Sequence, residues 1–167
     1  PLVNVRHILS GFEGGTTENG TTTYSDEEKA AAKDKAEAWL DEWESGAATE
    51  ESFAELAKAN STDTGSKENG GLYEDVYPGQ MVSAFNNWCF DANRKPGDTG
   101  IVETTYGYHV MYFVGTAQDT YRDYLVKSDL ASEDYNNWYN TLVDNLSMTV
   151  GDTSYMRTNI VLNNGTK

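Results

Sequence analysis

Basic side chains, histidine and cysteine are all scarce in this chain, and each shortage closes off a class of chemistry. Twelve Lys and Arg stand against 27 Asp and Glu, a formal charge of −15 over 167 residues. A surface of that sign repels phosphate backbones and anionic lipid headgroups, so no nucleic acid is expected as a partner. One cysteine, Cys89, excludes an internal disulfide and leaves the redox compartment open. It stands in Asn87-Trp88-Cys89-Phe90, an aromatic setting with no evident basic neighbour to lower its pKa, which favours a packed core residue over a nucleophile. Two histidines leave only carboxylates to complete a metal site, so neither a metal nor another cofactor is expected. Long apolar runs are missing too, which excludes a bilayer-spanning segment or a signal peptide within these residues. The chain opens Pro1-Leu2-Val3-Asn4-Val5, directly in strand-like sequence and without an initiator Met. It therefore reads as a fragment of a longer precursor, whose targeting signal would lie outside it. Gly65-Ser66-Lys67 lacks the upstream glycine and following helix of a phosphate-binding loop, and no Gly-x-Ser-x-Gly elbow occurs.

With 38% hydrophobic residues, the chain has enough apolar side chains for one core plus an appendage. Residues 3–9 alternate apolar and polar and then turn wholly apolar in character, as a central strand would. Residues 11–24, rich in Gly and Thr around Asn19-Gly20, read as a flexible loop. Ser25 and Glu28 have the spacing of a capping box, followed by a stripe of Ala32, Ala36, Trp39, Leu40 and Trp43 at helical intervals and a terminating Gly46. A second helix is expected over 52–58, a long loop over 60–71, a third helix over 81–91 and two strands over 100–104 and 108–114. Strands and helices in this mixture indicate an α+β domain with an antiparallel or mixed sheet. Beyond Gly115, Tyr135, Trp138, Tyr139, Leu142, Val143 and Leu146 make a helical stripe with Ser132 as its cap, and Tyr121, Tyr124 and Leu125 begin an earlier helical stretch. The remainder is polar apart from Ile160-Val161-Leu162.

Both histidines lie in strand-like apolar runs, Arg6-His7-Ile8-Leu9 and Gly107-Tyr108-His109-Val110. If those strands pair, the imidazoles could meet across them. Periodicity alone favours the plainer reading, because a histidine in an apolar strand is more often a satisfied core residue than a catalyst. A glycosidase pair could be chosen from 27 acids, but surplus carboxylates are usually a solvated face.

Five blocks occur in a telling order: Arg6-His7-Ile8-Leu9; Ser52-Phe53-Ala54-Glu55-Leu56-Ala57; Ser61-Thr62-Asp63-Thr64-Gly65-Ser66-Lys67 with Gly70-Gly71; Gly79-Gln80-Met81-Val82 with Phe85; and Thr105-Tyr106-Gly107-Tyr108-His109-Val110. Together they resemble the successive signatures of the parvulin-type peptidyl-prolyl cis/trans isomerases. The resemblance implies a four-stranded antiparallel sheet wrapped by helices over 1–116, with a helical extension and polar tail over 117–167. It implies paired histidines His7 and His109 and an acidic partner Asp63 as catalytic residues, and a proline pocket walled by Met81 and Phe85 with Tyr106 in the last block. Met81 and Phe85, four apart, are expected on one helix face. The family's Asp-Leu-Gly-aromatic after the double glycine is replaced by Leu72-Tyr73-Glu74-Asp75. A gapless count puts Tyr73 at the leucine position, and Leu72 would take it after a small shift.

Phosphate-directed parvulins carry a basic cluster in the loop after the first strand, whereas residues 10–28 here hold no Lys or Arg. Selection of phosphorylated substrates is therefore not expected. The stripe over 135–146 resembles the C-terminal helix completing the chaperone portion of secreted bacterial foldases. That implies an extracytoplasmic protein, secreted or anchored outside the membrane, acting on unfolded proline-containing polypeptides, with the aromatic face packed on the domain or pairing two copies. The competing readings are a module that cradles unfolded chains without isomerising them and a Cys89-His hydrolase, which an internal Cys89 disfavours.

Overall fold

The computed structural model describes residues 1–145, so Leu146 and Ile160-Val161-Leu162 lie outside the described residues. The chain divides into two units, Pro1–Leu125 and Val126–Lys167. In the first, β1 (Val3–Gly11) is the long inner strand. Residues 11–24 are not simply loop. They contain a small hairpin of β2 (Thr16–Glu18) and β3 (Thr21–Thr23), turning at Asn19-Gly20 with both residues at positive φ. Threonine's β-branching and the Asn-Gly turn stabilise two short strands even with both faces in solvent.

α1 (Asp26–Ser45) starts at the expected capping box: Glu28 N–H donates to Ser25 Oγ at 3.2 Å and Ser25 N–H to Glu28 Oε2 at 2.8 Å. The other Glu28 oxygen accepts Gly15 N–H, tethering the end of the loop that precedes the hairpin. α2 runs Glu50–Asn60, longer than expected, because Thr49 and Ser52 form a second reciprocal cap. The long loop that follows contains a short 3₁₀ turn at Lys67–Asn69 and leads into β4 (Leu72–Val76), a strand with no apolar alternation to announce it. α3 covers only Ser83–Cys89, so Met81 precedes the helix and does not share its face. A turn closed by Gln80 N–H on Tyr77 O, followed by extended Val82, delays its start. β5 (Thr99–Thr104) and β6 (Gly107–Thr116) complete the sheet, in the order β4-β1-β6-β5 and antiparallel throughout.

Alternation along β1 and β6 gives the sheet two packed faces. Ile8 and Val110 meet Ala36, Trp43, Phe53 and Ala57 of α1 and α2. Val5, Met111 and Phe113 meet Phe85 and Cys89 of α3, with Val3 and Val76. Cys89 is thus a core residue, and burial pushes its thiol up to about 12.

α4 (Tyr121–Asn145) is one continuous helix. Thr120 caps it with Asp123, and Ser132 is an interior residue; the two stretches separated in the sequence join because no breaker lies between them. Within the first unit Tyr121 and Tyr124 stack with Tyr77. In the second, Tyr135 and Trp138 lie on the helix surface, Trp138 58% exposed. No described helix is long and apolar enough to cross a membrane.

Candidate active site

The pairing of β1 with β6 sets Leu9 opposite His109 and His7 opposite Met111, so the two histidines are diagonal neighbours on the α3 face of the sheet. Their Nδ1 atoms lie 3.0 Å apart, with ring centroids at 5.1 Å and planes at 27°. Both rings are buried, at 3% and 5% exposure. His7 Nε2 lies 2.9 Å from Asp63 Oδ2, and His109 Nε2 lies 2.8 Å from Thr104 Oγ1. With both rings neutral, one set of tautomers satisfies every nitrogen. Tyr106 N–H donates to the Thr104 hydroxyl, which donates to His109 Nε2; His109 Nδ1–H donates to His7 Nδ1, and His7 Nε2–H donates to Asp63. A directed chain of hydrogen bonds thus crosses the sheet from the β5–β6 corner to the loop after α2.

Electrostatics keep the ends of that chain apart. Asp63 is held well below the usual carboxylate range, chiefly by the hydrogen bond from His7, with Ser66 and Tyr73 adding to it and partial burial opposing. His109 is pushed down to about 3, first by burial and then by the adjacent His7 ring, with Asp63 opposing. At ordinary pH the site therefore holds an anionic carboxylate at one end and a neutral imidazole at the other.

These groups line a pocket of about 330 Å³ whose walls are Leu9, Tyr73, Met81, Val82, Phe85 and Tyr106, with Gln80 at its edge. Phe85 presents its edge to both imidazoles, at 5.4 and 5.5 Å. Tyr106, 62% exposed, stands at the rim. Of the residues singled out in the sequence, His7, Asp63, His109, Tyr73, Met81, Phe85 and Tyr106 come together here. Leu72 does not: it pairs with Arg6 on the strand edge, and alternation turns its side chain away from the face that carries Tyr73. Sequence reasoning missed Ser66 and Thr104 as hydrogen-bond partners and Gln80, Val82 and Leu9 as lining. All five lie within the recognised blocks or next to them, but nothing in their residue types marks contact with a histidine. No group of three or more His, Cys, Asp and Glu that could hold a metal occurs among the described residues.

Gly71 explains how Asp63's loop can run so near. With φ at +71°, it lets its carbonyl accept His7 N–H at 2.9 Å, where an added Cβ would lie 2.0 Å from His7 O. A wider, more open groove of about 740 Å³, lined by Phe12, Tyr24, Lys29, Glu103 and neighbouring threonines, holds neither histidine.

Comparison with known proteins agrees with this fold. The pattern of the PPIC-type peptidyl-prolyl isomerase (PPIase) domain matches residues 2–116. Foldase protein PrsA 1 of Listeria innocua is 40% identical over 91 residues, covering 50% of this chain and 31% of that protein. The crystal structure of the peptidylprolyl isomerase PrsA from Bacillus anthracis superposes with a TM-score of 0.52 at 26% identity, over 77% of this chain and 48% of the other. The PPIase domain of TbPar42 has the same fold at 21% identity, with a TM-score of 0.52 over 67% of this chain and 98% of that domain. The chain spans about a third of the length of the curated foldases it matches. A buried histidine pair, a carboxylate and an apolar notch on a four-stranded antiparallel sheet, within a match that runs the length of that sheet, place this chain in the PPIC-type, or parvulin, family of peptidyl-prolyl isomerases.

Proposed function

We propose that this chain catalyses cis/trans isomerisation of X-Pro bonds in unfolded or partly folded polypeptides, without phosphate direction, as the isomerase part of an extracytoplasmic foldase. The observation that carries this is the apolar pocket of Met81, Phe85 and Tyr73 opening directly onto the His7–His109 pair and Asp63. Rotating an X-Pro amide sacrifices resonance worth roughly 18–20 kcal/mol in ordinary peptides, and that resonance places negative charge on the carbonyl oxygen. The proline ring seats against Phe85 and Met81. The preceding carbonyl then lies in poorly solvated space beside an anionic Asp63, which disfavours the charge-separated planar amide and so favours the twisted one. No nucleophile is required. Asp63 has three donors on one oxygen and serves better as a fixed negative field than as an attacking group.

No Lys or Arg lines the pocket, which supports neutral or basic residues before proline over a phosphate. The names of the curated relatives support a foldase role, and with it extracytoplasmic placement, whether secreted or anchored. The exposed Tyr135, Trp138, Tyr139 and Leu142 on α4 support pairing of two copies through the extension that follows the isomerase domain of residues 1–116.

A protease-coupled assay on an Ala-Pro peptide tests the proposal. The wild type should turn over, and His109→Ala should lose on the order of a hundredfold in kcat/KM while staying folded. A folded wild type that binds unfolded chains at no measurable isomerisation rate would leave only the cradling role.

A further inference from the structure

We propose that Tyr73 is a positioning residue of this site, whose hydroxyl fixes the Asp63 carboxylate and through it the His7 ring. This rests on the isomerase reading above and adds a part to it. Tyr73 lies on the edge strand β4 opposite Val5, two positions from His7 on β1. Its Oη donates at 3.0 Å to Asp63 Oδ2, the oxygen that also meets His7 Nε2 at 2.9 Å and Ser66 Oγ at 2.5 Å. Its ring stacks on His7, with centroids 5.2 Å apart and planes at 27°, and meets Phe85 edge-on at 6.5 Å. One side chain therefore supplies both a wall of the proline pocket and a hydrogen bond beyond it. The leucine of the family pattern could supply the wall alone.

The origin of each donor gives Tyr73 its weight. Ser66 belongs to Asp63's own loop and moves with it, as does Gly65, whose N–H meets Asp63 Oδ1 at 3.2 Å. His7 and Tyr73 come from the sheet, and these two hold the loop's carboxylate against β1 and β4. A carboxylate held in place keeps the proton on His7 Nε2 and so turns the Nδ1 lone pair toward His109. Tyr73 is suited to remain a donor, because burial and the adjacent Asp63 both raise its own pKa. The groups facing Asp63 are His7 from β1, His109 behind it from β6, Tyr73 from β4 and Ser66 from the loop, while α3 offers only the uncharged Phe85.

Tyr73→Phe, which keeps the ring, and Tyr73→Leu, which keeps only an apolar wall, test this in the full chain. Asp63 is titrated by carboxyl ¹³C NMR, and kcat/KM on an Ala-Pro peptide is followed against pH. In Tyr73→Phe, Asp63 should protonate at higher pH than in wild type, since a donor to its charged form is gone. The acid limb of the rate profile should shift the same way. kcat/KM should fall roughly tenfold through kcat, as expected for one hydrogen bond to a charged group. Tyr73→Leu should repeat the NMR shift and raise KM as well. A Tyr73→Phe protein whose Asp63 titration and rate profile match wild type overturns the proposal. An inactive wild type would instead defeat the isomerase reading, and the NMR arm would still decide whether Tyr73 holds Asp63.

Discussion

His7 and His109 show what one residue can and cannot disclose. Each sits in an apolar strand, and periodicity alone makes both look like core. They are core, at 3% and 5% exposure, and they also form the polar axis of the pocket. Burial has a measurable consequence at His109. An unfolded chain takes up a proton there near the ordinary 6.5, whereas the folded chain holds out to about 3. The unfolded state thus binds more protons in that window, so this contribution to stability is complete above pH 6.5 and is lost as pH falls toward 3. Urea unfolding between pH 7 and pH 4 should show a wild-type slope that approaches about 1.4 kcal/mol per pH unit from this group, and His109→Gln should lack it. A difference between the two proteins that does not vary with pH would contradict the assignment.

Elements differ in how openly their residues declare them. α1 was legible to the residue, because a capping box and a stripe of Ala and Trp act locally. β4 was not: its exposed residues Glu74 and Asp75 break any apolar alternation, and the ladder with β1 makes it a strand. Apolar spacing extends a helix over Met81 because it ignores the turn at Tyr77 to Gln80, yet Met81 still reaches the pocket from outside α3. At Gly71 the dependence of β4 on its neighbour can be tested. Gly71→Ala puts a methyl 2.0 Å from His7 O in a left-handed conformation, and should cost about 3 kcal/mol or more in urea unfolding and displace His7. Gly79→Ala also has positive φ but meets open space, so it should cost only about 1–2 kcal/mol. Equal losses would mean that backbone strain, not the close approach of the two strands, governs Gly71.

The whole molecule carries a formal charge of −15, and no Lys or Arg lines the pocket. That field should favour cationic client segments. Peptides with Lys before proline should show higher kcat/KM than those with Glu, and the gap should narrow as salt rises from 20 to 500 mM. A preference for Glu, or a gap indifferent to salt, would remove electrostatics from the explanation.

The α+β class, the first helix, the buried Cys89 and the blocks bearing His7, Asp63, Phe85 and His109 were written in the sequence, since caps, periodicity and short motifs act over a few residues. The loop after α2 brings Ser66 to Asp63, a tertiary arrangement no local signal announces; that Nδ1 of His7 meets Nδ1 of His109, that Tyr73 and not Leu72 faces the pocket, and that Thr104 meets His109 were decided only by strand register. Register is set by pairing between segments up to about a hundred residues apart, and a shift of one residue would turn each of these side chains to the other face of the sheet.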